Sequence, residues 1–413
     1  MTIGERLVVH YRTTPVGVLE ATEDGMRFAY TPEWLEDRRA FPLSVSLPLD
    51  AAVDPVRSAR FFANLLPEAS VRTLLARRLG LSEDNDFALL RAIGGECAGA
   101  LVILPEGREV TEDEEEYESL TPAKLRELAT AYEALPAIDG TGRARLSLAG
   151  AQDKLPILID GSRWLLPIGS SPSTHIVKFP NRHFKHLPAN EVFVAALARR
   201  AGLRAMPTSW RQVGAEGLCV VERYDRVRTD DGIERLHQED FCQALGLSHA
   251  TKYEAEGGPS FAAAVELVRD ESRDPLTDVS RLLDWLAFDV IAGNADGHGK
   301  NLALLLRDGR RLAPFYDLVC TRIYGRIDRR LAMSVGGERD PDRIRRLHLE
   351  TCARQIGVKS SLVVEVFRGM AARILDETKS AVEESEVAKS PAVERCVPAI
   401  RKQARRVLRE LGA

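Results

Sequence analysis

The chain has 413 residues, more than one ordinary hydrophobic core accommodates, so two or three domains are expected. Its composition, 45% hydrophobic and 29% charged, is that of a soluble globular protein, and a formal charge of −4 leaves no basic excess for the phosphates of a nucleic acid. No stretch reaches the roughly 18 apolar residues needed to cross a bilayer, and Met1–Val8 lacks a leader pattern, so a cytoplasmic protein with no membrane partner is expected.

Residues 6–30 hold three short β-type runs, Arg6–Tyr11, Val16–Glu20 and Met26–Tyr30, separated by Thr-Thr-Pro and Glu-Asp-Gly turns. From Phe61 to Ile93 the pattern is helical, with Val71, Leu74, Leu75 and Leu79 on one face before Gly80-Leu81 ends the helix, and Gly94 to Leu104 returns to strand. The run Glu112 to Glu116 repels itself, which marks 106–120 as an acidic linker. Thr121-Pro122 then opens a helix.

Beyond it, Leu155–Ile159, Arg163–Leu166 and His175–Phe179 read as strands, Pro188–Ala201 as a helix and Leu218–Glu222 as a strand. After Gln238 the chain is mostly helical apart from a β-type island at Leu302–Leu306 and Arg311–Phe315. The expected class is α+β: a β-rich lobe, then a helical one, with four intervals at 1–105, 106–120, 121–236 and 237–413. Six scattered cysteines with no C-x-x-C pair read as buried, reduced thiols.

The strongest motif is Gly293-Asn294-Ala295-Asp296-Gly297-His298-Gly299-Lys300-Asn301, which closes an apolar helix carrying Val279, Leu282, Leu283, Leu286, Val290 and Ile291. Asp296 and Asn301 have the spacing of the catalytic-loop Asp and Asn of protein kinases, although the usual His-Arg before the Asp is absent. Pro314-Phe315-Tyr316-Asp317 follows as a short strand ending in a carboxylate, the position of a second Mg²⁺ ligand in that scheme. Each piece alone is also good turn chemistry.

Upstream, Lys178 lies inside the apolar run His175–Phe179, where an unpaired ammonium is costly, and Glu191 in the first turn of the following helix mirrors the kinase lysine–glutamate pair. The polar loop 147–154 ahead of it fits neither a Walker A loop nor G-x-G-x-x-G, yet is small and flexible enough to lie over phosphates. Val220 to Asp225 runs from an apolar strand into a polar segment, as a nucleotide-binding hinge would. The order loop, lysine, glutamate, hinge, Asp-x-x-x-x-Asn, Asp carries more weight than any one of its parts.

These residues resemble the HipA family of bacterial kinase toxins. The resemblance lies in Ser147 to Lys154, Thr174 to Lys178, Asn190-Glu191, Val221 to Arg226, Gln238 to Gln243, Lys252-Tyr253-Glu254 with Gly257-Gly258-Pro259, Asp296 to Asn301, Pro314 to Asp317 and, in the N-terminal part, Phe61 to Glu68. It implies a two-lobed kinase-like core with an N-terminal β-rich subdomain and Mg²⁺/ATP-dependent phosphorylation of Ser or Thr, typically on an aminoacyl-tRNA synthetase. It also implies a small helix-turn-helix antitoxin of the HipB kind, a dimer through which operator DNA is mainly contacted.

Residue by residue, the resemblance makes Asp296 the catalytic Asp, Asn301 and Asp317 the Mg²⁺ ligands, and Glu191 the partner of an ion pair. Ala149, Gly150, Ala151, Gln152, Lys154, Lys178, His298 and Lys300 fall on the nucleotide side, Glu222 and Tyr224 on the adenine-side hinge, and Ser147 at the autophosphorylated serine. The stretch Val319–Val335 fits no assignable pattern and is expected to be an activation segment that sets target choice. Two rival readings remain at this level: a non-catalytic nucleotide-sensing regulator that works through a DNA-binding partner, and a small-molecule kinase, which shares the Asp-x-x-x-x-Asn logic but does not explain the N-terminal part.

Overall fold

The structure is a computed structural model that describes residues 3–412 except 24, 51, 109, 111–114, 131–153, 182 and 326. Its packing groups the chain into two compact units: Met1–Lys178 with Arg223–Ala250 and Leu305–Arg307, and Phe179–Glu222 with Thr251–Leu304 and Asp308–Ala413. The units therefore interleave along the sequence, unlike the four consecutive intervals read from it. Among the described residues no helix is long and apolar enough to cross a membrane.

In the first unit, strands Arg6–Tyr11, Thr14–Thr22, Gly25–Tyr30 and Leu101–Pro105 form an antiparallel sheet with Arg6–Tyr11 and Thr14–Thr22 at its centre. One face is apolar by alternation: Leu7, Val9, Leu19 and Phe28 are buried, with Val16 at a register shift of its strand, together with Phe61, Phe62, Phe87 and Leu90 from the helices Pro55–Ala63 and Asp86–Ile93. Gly17 is required here because a Cβ would fall 2.2 Å from the Phe28 ring. The helix Ala69–Leu79 ends at Gly80 in the left-handed region, as its sequence predicts.

A second antiparallel sheet in the same unit sets Lys154–Asp160 between Arg163–Ile168 and His175–Lys178, with Glu116–Ser119 outside Arg163–Ile168. That last strand corrects the reading of 106–120 as linker throughout. Glu116 N–H donates to Ser171 Oγ at 2.8 Å and the Tyr117 hydroxyl to Pro172 O at 3.0 Å, so the end of the acidic run is anchored to the sheet.

The second unit is built on the helices Leu187–Arg200, Phe261–Glu271, Pro275–Ala292, Arg346–Gln355, Ser360–Glu383 and Pro391–Glu410. Pro275–Ala292 is capped at its start by Asp274, whose carboxylate accepts from Thr277 N–H, and carries proline in its first turn. It buries Val279, Leu282, Leu283, Leu286, Val290 and Ile291, the residues its period singles out. The hairpin Thr208–Val213 with Glu216–Glu222 adds a strand that the sequence does not announce, because Thr-Ser-Trp-Arg-Gln-Val is mostly polar and largely exposed. All six cysteines are buried free thiols.

Candidate active site

In the second unit Pro275–Ala292 ends at Gly293, whose φ of +73° turns the chain out of the helix and into the polar loop. Two features fix that loop. Thr321, buried, donates its hydroxyl to Gly293 O at 2.8 Å and accepts the Ala295 N–H at 2.9 Å, so the stretch that follows Asp317 braces the loop's start. Asp289, 3% exposed, accepts from Asn294 Nδ2 at 3.3 Å and lies under Gly297, where a Cβ would fall 2.1 Å from its carboxylate. Burial, opposed by the Asn294 hydrogen bond and aided by the nearby Asp296 charge, raises the Asp289 carboxyl well above its ordinary range.

Asp296 stands at the loop's apex with its side chain 54% exposed. Its backbone N–H donates to Asn294 Oδ1 at 3.1 Å, and the Tyr253 hydroxyl donates to its Oδ1. His298 Nε2 lies 4.0 Å from the same oxygen. The short 3₁₀ turn Gly299–Asn301 follows, where Asn301 Oδ1 accepts the His298 N–H at 3.0 Å and Asn301 Nδ2 lies 3.4 Å from Asp317 Oδ2. Asp317 adopts φ +57°, a left-handed conformation that Asp tolerates better than bulky residues do. Tyr316 beside it donates to Lys300 O at 2.7 Å and ties the two segments together.

The pair Asn301 and Asp317 offers one amide oxygen and one carboxylate. The amide nitrogen is the atom turned toward Asp317 and the amide oxygen accepts the His298 N–H, so Asn301 offers a hard cation only the lone pair of Oδ1 left beyond that bond. One or two such oxygens, completed by phosphate oxygens and water, are what Mg²⁺ takes; no sulfur or imidazole of a softer metal's shell is needed.

The other residues singled out in the sequence fall as follows. In the second unit Glu191 is 2% exposed and is the fifth residue of the helix Leu187–Arg200, which starts one residue before the Pro188 expected from sequence. Asn190, its neighbour, accepts the Cys320 N–H at 2.9 Å and donates to Cys320 O at 3.0 Å, which fixes the chain three residues after Asp317. Glu222 is exposed at the end of its strand.

In the first unit Lys154 and Lys178 are directly opposite each other on antiparallel strands, and Lys178 is 5% exposed. Side chains at such positions share one face of the sheet, which places both lysines on the same side of it. The Tyr224 hydroxyl donates to Gln238 Oε1. Ser147, Ala149, Gly150, Ala151 and Gln152 lie outside the described residues.

The stretch expected to be a hinge has a second use that its local sequence does not reveal. Arg223, Asp225 and Arg226 join Glu96 and Arg235 in a buried network: Arg223 and Arg226 lie 2.8 and 3.0 Å from Glu96 Oε1, Arg235 2.7 Å from Oε2, and Arg223 2.7 Å from Asp225. Burial would raise the Glu96 carboxyl, but Arg226, Arg235 and Arg223 override it and hold it at about 2. Sequence reasoning also gives no place in this loop's hydrogen bonding to Tyr253, Asp289 and Asn294. Tyr253 lies within a family motif that gives it no role, and Asp289 has the local signature of a surface helix residue.

Comparison with known proteins sets this geometry in a family. Residues 7–104 match the HipA N-terminal domain and 146–384 the HipA-like C-terminal domain. Y4mE of Sinorhizobium fredii is 42% identical over 86% of this chain and 85% of its own length. The serine/threonine-protein kinase toxin HipA of Shewanella oneidensis is 33% identical over 89% of this chain and 87% of its own. A solved complex of Shewanella oneidensis HipA with HipB and its operator DNA superposes with a TM-score of 0.86 at 30% identity, covering 98% of both chains. With both domains matched, and the α+β fold shared with a HipA structure, the chain belongs to the HipA family of kinases and has a kinase-like fold.

Proposed function

We propose that this chain is a Mg²⁺/ATP-dependent serine/threonine protein kinase and the toxin half of a toxin–antitoxin pair. The observation that carries the reading is the loop cluster of the second unit, in which Asn301 meets Asp317 and Asp296, on the same loop as Asn301, is exposed to solvent. Asp296 accepts the proton of a Ser or Thr hydroxyl as its oxygen attacks the γ-phosphorus. Lys154 and Lys178 bind phosphate oxygens, and their placement across one strand pair supports this. Asn301 and Asp317 would hold Mg²⁺, which when bound neutralises charge on the phosphates. His298, Lys300, residues Ala149–Gln152, and Glu222 with Tyr224 complete the proposed nucleotide side, and Glu191 is the proposed ion-pair residue.

The partner reading rests on the relative whose solved complex contains HipB and operator DNA. A HipB-like dimeric antitoxin restrains the kinase, DNA is contacted mainly through it, and the acceptor is an aminoacyl-tRNA synthetase in the cytoplasm. Ser147 is the proposed autophosphorylation site, where a phosphate of about −1.5 to −2 charges would repel the nucleotide and switch the kinase off.

Transfer of ³²P from [γ-³²P]ATP by the purified chain tests the reading. Asp296→Asn and Asp317→Ala should each lower transfer at least about 10³-fold while circular dichroism stays unchanged, since both carboxylates act on charge rather than packing. Wild-type transfer by either folded variant would end the assignment. In the same preparations, mass spectrometry should find phosphate on Ser147. Expression of the wild type alone should arrest bacterial growth, and Asp296→Asn should relieve the arrest.

A further inference from the structure

We propose that Tyr253 is a positioning residue for the Asp296 carboxylate, anchoring one of its oxygens so that the other is presented to the acceptor hydroxyl; this rests on Asp296 being the catalytic Asp. An Asp with more than half of its side chain exposed, at the tip of a loop, is free to rotate unless something holds it. The hydroxyl of Tyr253 donates to Oδ1, while Oδ2 accepts no hydrogen bond among the described residues. The carboxylate is thereby divided into a held oxygen and an open one.

Tyr253 is itself held on both sides. Lys252 O accepts the Gly299 N–H at 3.2 Å, which joins the residue before it to the same loop that carries Asp296. Glu254 N–H donates to Ala332 O at 3.0 Å, and the Glu254 carboxylate accepts the Ser334 hydroxyl at 2.9 Å and its N–H, which fixes the residue after it. Gly258 completes the turn by donating to Tyr253 O at 2.8 Å, and a Cβ on Gly258 would fall 2.6 Å from Lys252 C, so the turn has no room for a larger residue. The ring packs edge-on against His298, with centroids 5.1 Å apart and planes at 89°. A phenol carried on this frame reaches Asp296 from a defined direction. Through Ala332 and Ser334, the end of the Val319–Val335 stretch fixes the turn that in its own right fixes the catalytic carboxylate.

A hydrogen bond to a charged group is worth enough that its loss from a catalytic carboxylate should slow turnover about 10- to 100-fold. The experiment measures phosphoryl transfer from [γ-³²P]ATP to the full chain and to casein by the wild type, Tyr253→Phe, Asp296→Asn and the double variant. The expected result is a kcat lowered by that factor in Tyr253→Phe, with KM for ATP within about twofold, the melting temperature unchanged, and the double variant no slower than Asp296→Asn. Unchanged turnover in Tyr253→Phe would overturn the proposal. So would a raised KM for ATP at constant kcat, or a loss of the same factor in the Asp296→Asn background, which would mean that Tyr253 acts apart from Asp296. A faster Tyr253→Phe enzyme would identify the phenol as a plug at the acceptor position and overturn it too. Full transfer by Asp296→Asn alone would remove the reading of Asp296 itself, a failure distinct from the others.

Discussion

Asp289 sits beneath the loop that carries Asp296 as a buried carboxyl with no cationic partner among the described residues; the amide of Asn294 donates to it and Gly297 lies against it. Its raised pKa sets the sign of its effect on stability. Between the ordinary Asp value near about 3.9 and the higher folded value, the folded chain binds a proton that the unfolded chain has released, so stability falls as pH rises through that window. Asp289→Asn keeps an oxygen for Asn294 and removes the titration. The variant should melt at a higher temperature than the wild type at pH 8, with the difference shrinking toward pH 4, as followed by circular dichroism. An equal pH dependence in both would mean that the carboxyl is ionised in the fold.

At the scale of elements, the join between the helix Pro275–Ala292 and its loop depends on Gly293. It combines a positive φ with a close neighbour, since a Cβ would fall 2.5 Å from Arg322 Cδ. Gly293→Ala therefore incurs about 1–2 kcal/mol of left-handed strain and must also displace Arg322, which is ion-paired to Asp342 at 2.6 Å. A lower melting temperature together with reduced phosphoryl transfer is expected; loss of stability without loss of transfer would show that the loop tolerates the shift. The helix itself is plain in the sequence because six apolar residues recur at its period, and its stop is plain because glycine follows. The hairpin Arg226–Thr229 with Gly232–Arg235 is not, although Asp230-Asp231-Gly232 has turn chemistry, because its strands are short and polar. The start of the helix carrying Glu191 is legible from Pro188 in its first turn, although no side chain caps it and His186 enters it from a left-handed conformation.

For the molecule as a whole, the network of Glu96, Arg223, Asp225, Arg226 and Arg235 ties segments more than a hundred residues apart into the first unit. Three guanidinium groups face two carboxylates, so Glu96→Gln would leave a buried excess of positive charge. It should lower stability by about 3–5 kcal/mol in urea unfolding, whereas a surface pair would be worth under about 1. Because the folded Glu96 carboxyl is held at about 2, its contribution is fully present above the unfolded value near about 4.3 and is lost as pH falls between the two. The wild type should lose stability over that acid interval and Glu96→Gln should lack this step; parallel curves would remove the network as the cause.

What the sequence determined by itself was whatever depends on neighbours along the chain. It marked the apolar periods of the N-terminal strands and of Pro275–Ala292, the glycine stops, and the local spacing of Asp296 and Asn301, which together with the ordered motifs made the family legible. Tertiary structure alone decided which distant groups meet. Asp317 comes beside Asn301, Tyr253 holds Asp296, Thr321 braces Gly293, and Lys154 faces Lys178 across two strands. The buried network, which joins Glu96 to Arg223, Arg226 and Arg235, is of the same kind. A charged residue has the same local sequence signature whether solvated or buried against a partner far along the chain. Only the folded path of the backbone, which removes water from Asp289 and leaves it at Asp296, separates the two cases.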